Sequence, residues 1–389
     1  MKSRKSPVID LPLKITLTTA GVEWFIRNRR QLKHLRMADS RLEYGLSVAE
    51  VSATSLQRMI NIDYIASVEV ARSEFSSKRR EIIDLTKLIV HRILFKKFEN
   101  ETSRMFLSSA LVKRWNRQNP GRCIDESTSY SPARVDSLFA AVASEIPLVS
   151  SDIQEPLLRG YAANPAINEE ERTLRAFLSD GFVLNASKLL WCILARSRGQ
   201  PEYDGLVGEL RQILSSYIEK GAISENLALM VVELLGFVEV SHYRQVTEKL
   251  LKGRRKAGEA LVTDERMRRE VRRRMEAEGD LLSLTYQLGS KGAASIGTEH
   301  RLRISICNQE KGFRRLNEQL ETRLGFDVKE HSLMEFYRKI PEQQINTDLG
   351  LYYLSYLQKA CEKQDIRIES TVSLIPRSDL TVIHLTLGF

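Results

Sequence analysis

The alternation of apolar and polar residues predicts β-strands near both ends of the chain. Residues 11–19 alternate and are rich in β-branched side chains, which is typical of a short strand. Strand-like runs return near the C-terminus at 281–287, 302–307, 366–374 and 380–387. The last two runs are separated by Pro376-Arg-Ser-Asp379, a turn-forming sequence that predicts a hairpin.

Between these runs, apolar residues recur at the spacing of helices. In residues 63–98 they recur every three or four positions, which predicts one helix longer than most globular helices. We expect its apolar stripe, near Phe75, Ile82, Ile89 and Phe95, to bind a second copy of the chain or a partner helix. The alternative is that a helix at 102–117 folds back and covers the stripe. Further helices are predicted at 22–38, 47–61, 169–197, 203–219, 224–240, 243–278, 310–324, 330–338 and 347–363.

Composition divides the chain into three parts. Residues 118–168 contain several prolines and many serines and asparagines, which predicts a linker. The expected domains are therefore a helical N-terminal module at 1–117, this Pro- and Ser-rich linker, and a C-terminal domain with a helical lead-in at 169–389. Because helices are followed by interleaved strands and helices, we expect an α+β protein whose C-terminal part is a sandwich of sheet and helices.

Overall composition excludes several classes of protein. The 389 residues are 42% hydrophobic and 28% charged, which excludes wholesale disorder and collagen-like repeats. No uncharged apolar run approaches the roughly 20 residues of a membrane-spanning helix, and no secretory signal pattern is present. The four cysteines lie far apart without a Cys-x-x-Cys pair, so neither a disulfide framework nor a structural zinc site is indicated. We therefore expect a cytoplasmic protein without a membrane span.

The formal net charge of +9 favours anionic partners. Near the N-terminus, four basic side chains are little diluted by acidic ones: Arg27, Arg29, Arg30 and Lys33. Trp24 and Phe25 precede them and could stack on a nucleic-acid base, so this cluster is a candidate nucleic-acid site. The alternative is a helix whose aromatic residues face the protein core.

Residues 224–389 carry a series of short motifs. An apolar helix at 224–242 carries Glu233, a strand ends at Asn308, and Asn346-Thr-Asp348-Leu-Gly350-Leu opens a later helix. This order of elements resembles the GHKL ATPase domain, the nucleotide-binding fold of sensor histidine kinases, gyrase and the ninety-kilodalton heat-shock chaperones. The resemblance implies a mixed sheet backed by helices.

The same resemblance implies a degenerate nucleotide site. Glu233 matches the glutamate that activates water or the phosphate acceptor, but Phe237 replaces the asparagine that holds Mg²⁺. Asn308 takes the place of the aspartate that binds adenine. In the phosphate loop only Gly350 matches, and Asp348 would direct negative charge at a triphosphate. The resemblance therefore implies a vestigial site without a cofactor, with ATP and Mg²⁺ bound only if the degenerate site still functions.

These patterns together predict a cytoplasmic regulatory or scaffold protein rather than an enzyme. Its GHKL-like domain would not hydrolyse ATP, and it would act through protein contacts made by the N-terminal helices with a partner or a second copy. One alternative is a basic helical nucleic-acid-binding protein, and another is an active histidine-kinase-like ATPase. No histidine is followed directly by an acidic residue, as the phosphoacceptor of such a kinase would be. The alternative for Glu233 is a core-helix acid paired with an arginine.

Overall fold

The structure, a computed structural model of the chain, describes residues 8–125, 132–250, 265–290, 300–308, 357–375 and 380–389. The strands are β1 (Val8–Ile9), β2 (Leu13–Leu17), β3 (Lys33–Arg36), β4 (Leu42–Val48), β5 (Val51–Ser52), β6 (Ile65–Arg72), β7 (Leu282–Ser290), β8 (His300–Asn308), β9 (Arg367–Ile375) and β10 (Leu380–Gly388). The helices are α1 (Thr19–Arg27), α2 (Ala53–Asn61), α3 (Arg79–Ser108), α4 (Ala110–Gln118), α5 (Pro132–Ala140), α6 (Ile146–Ala163), α7 (Glu169–Asn185), α8 (Lys188–Ser197), α9 (Pro201–Leu250) and α10 (Glu265–Glu278). A 3₁₀ turn at Ser76–Lys78 precedes α3, and a further helix covers 357–363.

The fold is α+β, as predicted, but its sheet is antiparallel. The described strands form an eight-stranded sheet in the order β3-β4-β2-β6-β7-β8-β10-β9, and β1 pairs separately with β5. Every pairing among these strands is antiparallel, which corrects the expected mixed sheet. A parallel pair needs a long crossover, whereas β9 and β10 are neighbours in sequence that pair directly after a short turn.

The chain divides into two compact units, and the division differs from the predicted domains. One unit contains residues 1–93 and 223–389, and the other contains residues 94–222. In the first unit β6 pairs with β7, so strands from both ends of the chain share one sheet. Residues 1–117 are therefore not a separate helical module. The predicted linker at 118–168 contains α5 and α6 instead.

Several predicted helices are strands in part. Residues 63–98 begin with β6, because Val68 and Val70 alternate with polar residues and are fully buried. Similarly, β3 replaces the end of the predicted helix at 22–38, and β4 replaces the start of the one at 47–61.

The later helical predictions have mixed outcomes. The predicted helices at 203–219 and 224–240 are joined in α9, which also covers the start of the one predicted at 243–278. Those predicted at 310–324 and 330–338 lie outside the described residues, as does most of the one at 347–363.

The apolar stripe predicted to bind a partner lies inside the protein. Phe75, Ile82, Ile89 and Phe95 are each at most 3% exposed. These side chains therefore form core and offer no surface to a second copy. Partner binding by other surfaces stays a prediction.

One apolar segment bears on the prediction that the chain lacks a membrane span. Residues Pro201–Val240 of α9 are long and apolar enough to cross a membrane, and 65% of the most apolar window is buried within the protein. The pair α7 and α8, bent by 92°, passes the same test as one broken span. The core helix of a globular protein also meets these criteria, so the absence of a span stays a prediction.

Alternation along the strands gives the sheet an apolar face and a polar face. The buried apolar residues are Leu13 and Ile15 in β2, Val68 and Val70 in β6, Leu284 and Tyr286 in β7, Leu302 and Ile304 in β8, and Ile383 and Leu385 in β10. The Tyr286 hydroxyl lies 2.6 Å from Thr86 Oγ1, which itself donates to the carbonyl oxygen of Ile82. Tyr286 therefore donates to Thr86 and satisfies its own hydroxyl within the core.

A buried carboxylate caps the helix that follows β6. Glu239 on α9 is 2% exposed, and its Oε2 accepts hydrogen bonds from the backbone nitrogens of Phe75 and Ser76 at 2.8 and 3.1 Å. Its Oε1 accepts a third bond from Ser76 Oγ at 2.7 Å. Negative charge is favourable at a helix N-terminus, so these contacts compensate the free-energy cost of burying the Glu239 carboxylate.

Replacing Glu239 with Gln should lower the free energy of unfolding by about 2 kcal/mol, because the neutral amide lacks the negative charge that accepts the backbone hydrogen bonds at the helix N-terminus. Urea denaturation of the full chain measures this change. The matched control is Glu233→Gln on the same helix, whose pair with Arg79 is partly exposed and should contribute about 0.5 kcal/mol or less. Equal losses in the two variants would contradict the capping role of Glu239.

Candidate functional site

A row of polar residues crosses the sheet on the face opposite the apolar core. These residues, called the polar row below, lie directly opposite one another on seven neighbouring strands: Ser47, Lys14, Glu69, Thr285, Ser305, His384 and Thr371. Side chains alternate between the two faces along a strand, so the neighbours in sequence of each of these residues point to the other face. The row therefore brings together side chains from distant parts of the sequence.

Glu69 is the buried centre of one half of the polar row. It is 1% exposed, and its carboxylate lies 3.0 Å from Lys14 Nζ. Its Oε2 also accepts a hydrogen bond from the backbone nitrogen of Ala38 at 2.9 Å, with Thr285 Oγ1 farther away at 3.5 Å. Lys14 Nζ in turn donates to the carbonyl oxygen of Arg36 at 2.7 Å. These contacts hold the connection between β3 and β4 against the polar face.

A cavity of about 270 Å³, called the sheet cavity below, lies between that connection and the strands. Its lining residues are Met37, Ala38, Asp39, Arg41, Glu69, Thr285, Gln287, Arg303, Ser305, Cys307, Val382 and His384. Ala38 packs against Cys307 and Val382, which closes one side of the cavity. Hydroxyl, amide, imidazole and guanidinium groups therefore line one cavity that is open to solvent.

The charges around the sheet cavity are paired, with one exception. Asp39 Oδ2 lies 2.7 Å from Arg41 Nε, and Glu69 is paired with Lys14. Arg303 on β8 is exposed and forms no ion pair with a carboxylate in the described parts of the chain. The surplus positive charge at the cavity is therefore that of Arg303.

His384 is fixed between two hydroxyl groups. Its Nδ1 lies 2.9 Å from Ser305 Oγ, and its Nε2 lies 3.0 Å from Ser373 Oγ. Burial and the neighbouring charge of Arg303 lower the pKa of His384 below its ordinary value of 6.5. The imidazole is therefore neutral at pH 7, with one nitrogen donating a hydrogen bond and the other accepting one.

The thiol and the imidazole that line the cavity are both held in unreactive states. Burial raises the pKa of the Cys307 thiol to about 11, so it is protonated and weakly nucleophilic at neutral pH. Both imidazole nitrogens of His384 are engaged with hydroxyl groups. Among the residues that the structure describes, no group of three His, Cys, Asp or Glu side chains is placed to hold a metal ion.

Two of the four predicted nucleotide-site residues, Glu233 and Asn308, lie in the part of the chain that the structure describes. Glu233 Oε1 lies 2.5 Å from Arg79 Nη2, which is the pairing that the alternative interpretation of this acid predicts. Asn308 is the last residue of β8, and Asp348 and Gly350 lie outside the described residues. The GHKL resemblance and an ATP–Mg²⁺ site therefore stay predictions.

The predicted basic cluster is exposed on the protein surface. Arg27 ends α1, Arg29 and Arg30 follow it, and Lys33 begins β3, with all four side chains exposed. Arg27 also pairs with Glu23 at 3.1 Å. Binding of nucleic acid by this cluster stays a prediction.

Sequence reasoning did not find the residues of the sheet cavity. Arg303, Ser305 and Cys307 do carry a signal, since their alternation places them on one face of a predicted strand. This alternation does not show which strands lie beside β8. The proximity of Glu69 and His384 to these β8 residues could therefore not be derived from the sequence.

The fold and the cavity define an α+β protein whose antiparallel sheet carries a ligand-sized polar site. The chain belongs to the family described as "Family of unknown function (DUF8084)", whose model matches residues 4–389. It is also similar to an "Uncharacterized protein" of Treponema pallidum (strain Nichols), with 28% identity over 385 residues that cover 99% of each chain. No solved structure matches the chain. The family match includes every described strand of the sheet.

We expect the stability of the protein to fall as the pH drops below about 6.5, because His384 then takes up a proton more readily in the unfolded state. The His384→Gln variant lacks this titration. Unfolding of both proteins by urea at pH 7 and pH 5 should show a smaller loss of stability in the variant. An identical pH dependence in the two proteins would contradict this account.

Thiol reactivity should distinguish Cys123 from the other cysteines. Cys123 is exposed, whereas Cys192, Cys307 and Cys361 are buried and their pKa values are raised by burial, to about 11 for Cys307 and about 12 for Cys361. Ellman's reagent at pH 7.5 should therefore modify one thiol rapidly in the native protein and all four after denaturation. Rapid modification of native Cys123→Ser would show that another thiol is accessible.

Proposed function

We propose that this protein is a regulatory protein that binds a small carboxylate in the sheet cavity. The observation that supports this proposal is the exposed guanidinium of Arg303 beside a polar cavity whose other charges are paired. An arginine presents two parallel N–H groups that match the two oxygens of a carboxylate. A single surplus positive charge favours one carboxylate group over a polyanion.

The remaining lining groups favour a ligand with additional polar atoms. Ser305, Thr285 and Gln287 present hydroxyl and amide groups to the cavity. A volume of about 270 Å³ lies just below the roughly 300 Å³ at which the usual range of ligand sites begins, so the cavity suits only a small ligand. A small hydroxy acid or amino acid fits this combination of size, charge and hydrogen bonding.

A regulatory role is supported better than catalysis. The thiol of Cys307 is protonated, and the carboxylate of Glu69 is engaged with Lys14 and Ala38. The proposal keeps the cytoplasmic regulatory role inferred from the sequence, acting through protein contacts. It places the ligand on the polar face of the sheet instead of in a nucleotide site.

Thermal unfolding with millimolar lactate or serine tests the proposal, with lactamide as the size-matched neutral compound. At least one carboxylate should raise the melting temperature in a saturable way, because a ligand at 100 times its Kd stabilises the folded state by about 2.7 kcal/mol. Lactamide should have no effect.

Matched variants on β8 assign the effect to the cavity. Arg303→Gln should abolish the stabilisation, whereas Arg301→Gln should retain it, because Arg301 is also exposed but does not line the cavity. No stabilisation by any carboxylate, or equal losses in the two variants, would refute the proposed function.

A further inference from the structure

The eight-stranded sheet ends at β3, which pairs only with β4 in the described part of the chain. The register places His34 opposite Tyr44 and Arg36 opposite Leu42. Side chains alternate along β4, so these four lie on the opposite face of the sheet from Ser47 and the rest of the polar row. They form a surface, called the edge face below, that shares no residue with the sheet cavity.

The edge face exposes an aromatic ring and an apolar side chain. Tyr44 is 50% exposed and Leu42 is 69% exposed. Phe25 on α1, by contrast, is 6% exposed and belongs to the core. The rings of Tyr44 and His34 contact each other, with their centroids 4.1 Å apart at an interplanar angle of 47°. A ring that a neighbour already holds in place loses little entropy when a flat molecule stacks on it.

Positive charge without an acidic partner lies beside the edge face. Residues 23–46 contain six basic and three acidic side chains. All three acidic side chains pair with Arg27 or Arg41. The other four basic residues are exposed and form no ion pair with a carboxylate among the residues that the structure describes: Arg29, Arg30, Lys33 and Arg36. This surface therefore attracts anionic groups.

Arg29 has a backbone conformation that glycine usually adopts. α1 ends in a Schellman motif, in which the backbone nitrogen of Arg30 donates to the carbonyl oxygen of Phe25 at 2.9 Å. Arg29 occupies the left-handed position of this motif, with a φ of 52°. Glycine has no Cβ to clash there, so arginine lowers the stability of the fold. Strain of this kind occurs at functional sites, which favours a role for the Arg29 side chain in binding.

The combination of charge and exposed ring indicates the class of ligand. Basic residues on an edge strand also prevent its pairing with another sheet, which accounts for Lys33 and Arg36. That role does not account for the exposed Tyr44 and Leu42, because such side chains favour contact. Proteins that bind single-stranded nucleic acid combine positive charge, which contacts phosphates, with exposed rings on which bases stack. A duplex fits less well, because its bases are already stacked on one another.

We propose that the edge face binds single-stranded nucleic acid. One base stacks on the Tyr44 ring, and Arg29, Arg30 and Arg36 contact the phosphates beside it. This site is independent of the proposed carboxylate site, whose arginine, Arg303, lies on β8.

Fluorescence anisotropy of the full chain with a labelled oligothymidine of about 12 nucleotides tests this site. An abasic strand of the same length carries the same phosphates without bases. Oligothymidine should bind in a saturable way about tenfold more tightly than the abasic strand, because only oligothymidine has a base to stack. Its affinity should fall with added salt. Equal binding of the two strands, no saturable binding, or tighter binding of a duplex would overturn the proposal.

Matched variants assign the preference to the edge face. Tyr44→Val should reduce the affinity for oligothymidine about tenfold, to that of the abasic strand, whereas Tyr44→Phe keeps the ring and should keep the affinity. Valine and phenylalanine both favour strands, so both variants should fold, which circular dichroism checks. Arg36→Gln should weaken the binding of both strands and make the log–log salt slope about 0.7 less steep, whereas Arg273→Gln, at an exposed position of α10, should change neither. Unchanged oligothymidine binding in Tyr44→Val would refute stacking on this ring.

Three further measurements separate this site from its alternatives. Arg29→Gly removes the strained conformation, so it should raise the melting temperature and yet weaken the binding of oligothymidine. A more stable variant with unchanged affinity would contradict the role of Arg29. Sedimentation of the protein alone tests a second copy as the occupant, and a dimer that Tyr44→Val dissociates would overturn the proposal. Arg303→Gln should bind oligothymidine normally, so failure of the carboxylate site would leave this result unchanged.

Discussion

The antiparallel pairing of β6 with β7 is the contact on which the sheet and its polar face depend. It places Glu69 opposite Thr285, which is 216 positions later in the chain. Without this pair, β2, β3 and β4 would be separated from β8, β9 and β10, and the polar row would be broken in two. Closing so long a loop costs little more entropy than closing a shorter one, but such distant pairing slows folding. The sheet cavity therefore forms only after both ends of the sequence have met.

The sequence predicted those strands whose pattern was unambiguous. The strand at 11–19 and the four C-terminal runs correspond to β2, β7, β8, β9 and β10, because alternation over five to nine residues has no good helical interpretation. Residues 65–72 were misassigned because Ile65 and Val68 also match a helical spacing that continues into α3. The order of strands could not be predicted, since side-chain periodicity carries no information about which distant strands pair. The prediction of a linker at 118–168 was wrong because its prolines do not exclude helices. Pro147 lies in the first turn of α6, where proline fits a helix.

The candidate site was less predictable than the fold. Motifs are local in sequence, so the sequence singles out Glu233 on its apolar helix. In the structure, this glutamate pairs with Arg79. The polar row runs across the strands instead of along them, and each strand contributes one of its side chains. Arg303 and His384 look like ordinary strand residues until β8 and β10 are placed side by side. By contrast, the cluster of Arg27, Arg29, Arg30 and Lys33 is contiguous, and its location could be predicted directly.

The two hydrogen bonds of His384 link the hydroxyl group of Ser305 on β8 to that of Ser373 on β9. A neutral imidazole has one donor and one acceptor, so the hydroxyls of Ser305 and Ser373 cannot both play the same role. If Ser305 donates to Nδ1, then Nε2 donates to Ser373, and the opposite tautomer reverses both bonds. A molecule that fixes the direction of the Ser305 hydroxyl thereby selects the tautomer of His384. It also sets the hydrogen-bond polarity at Ser373 on β9, the last strand in the described order, without moving the backbone.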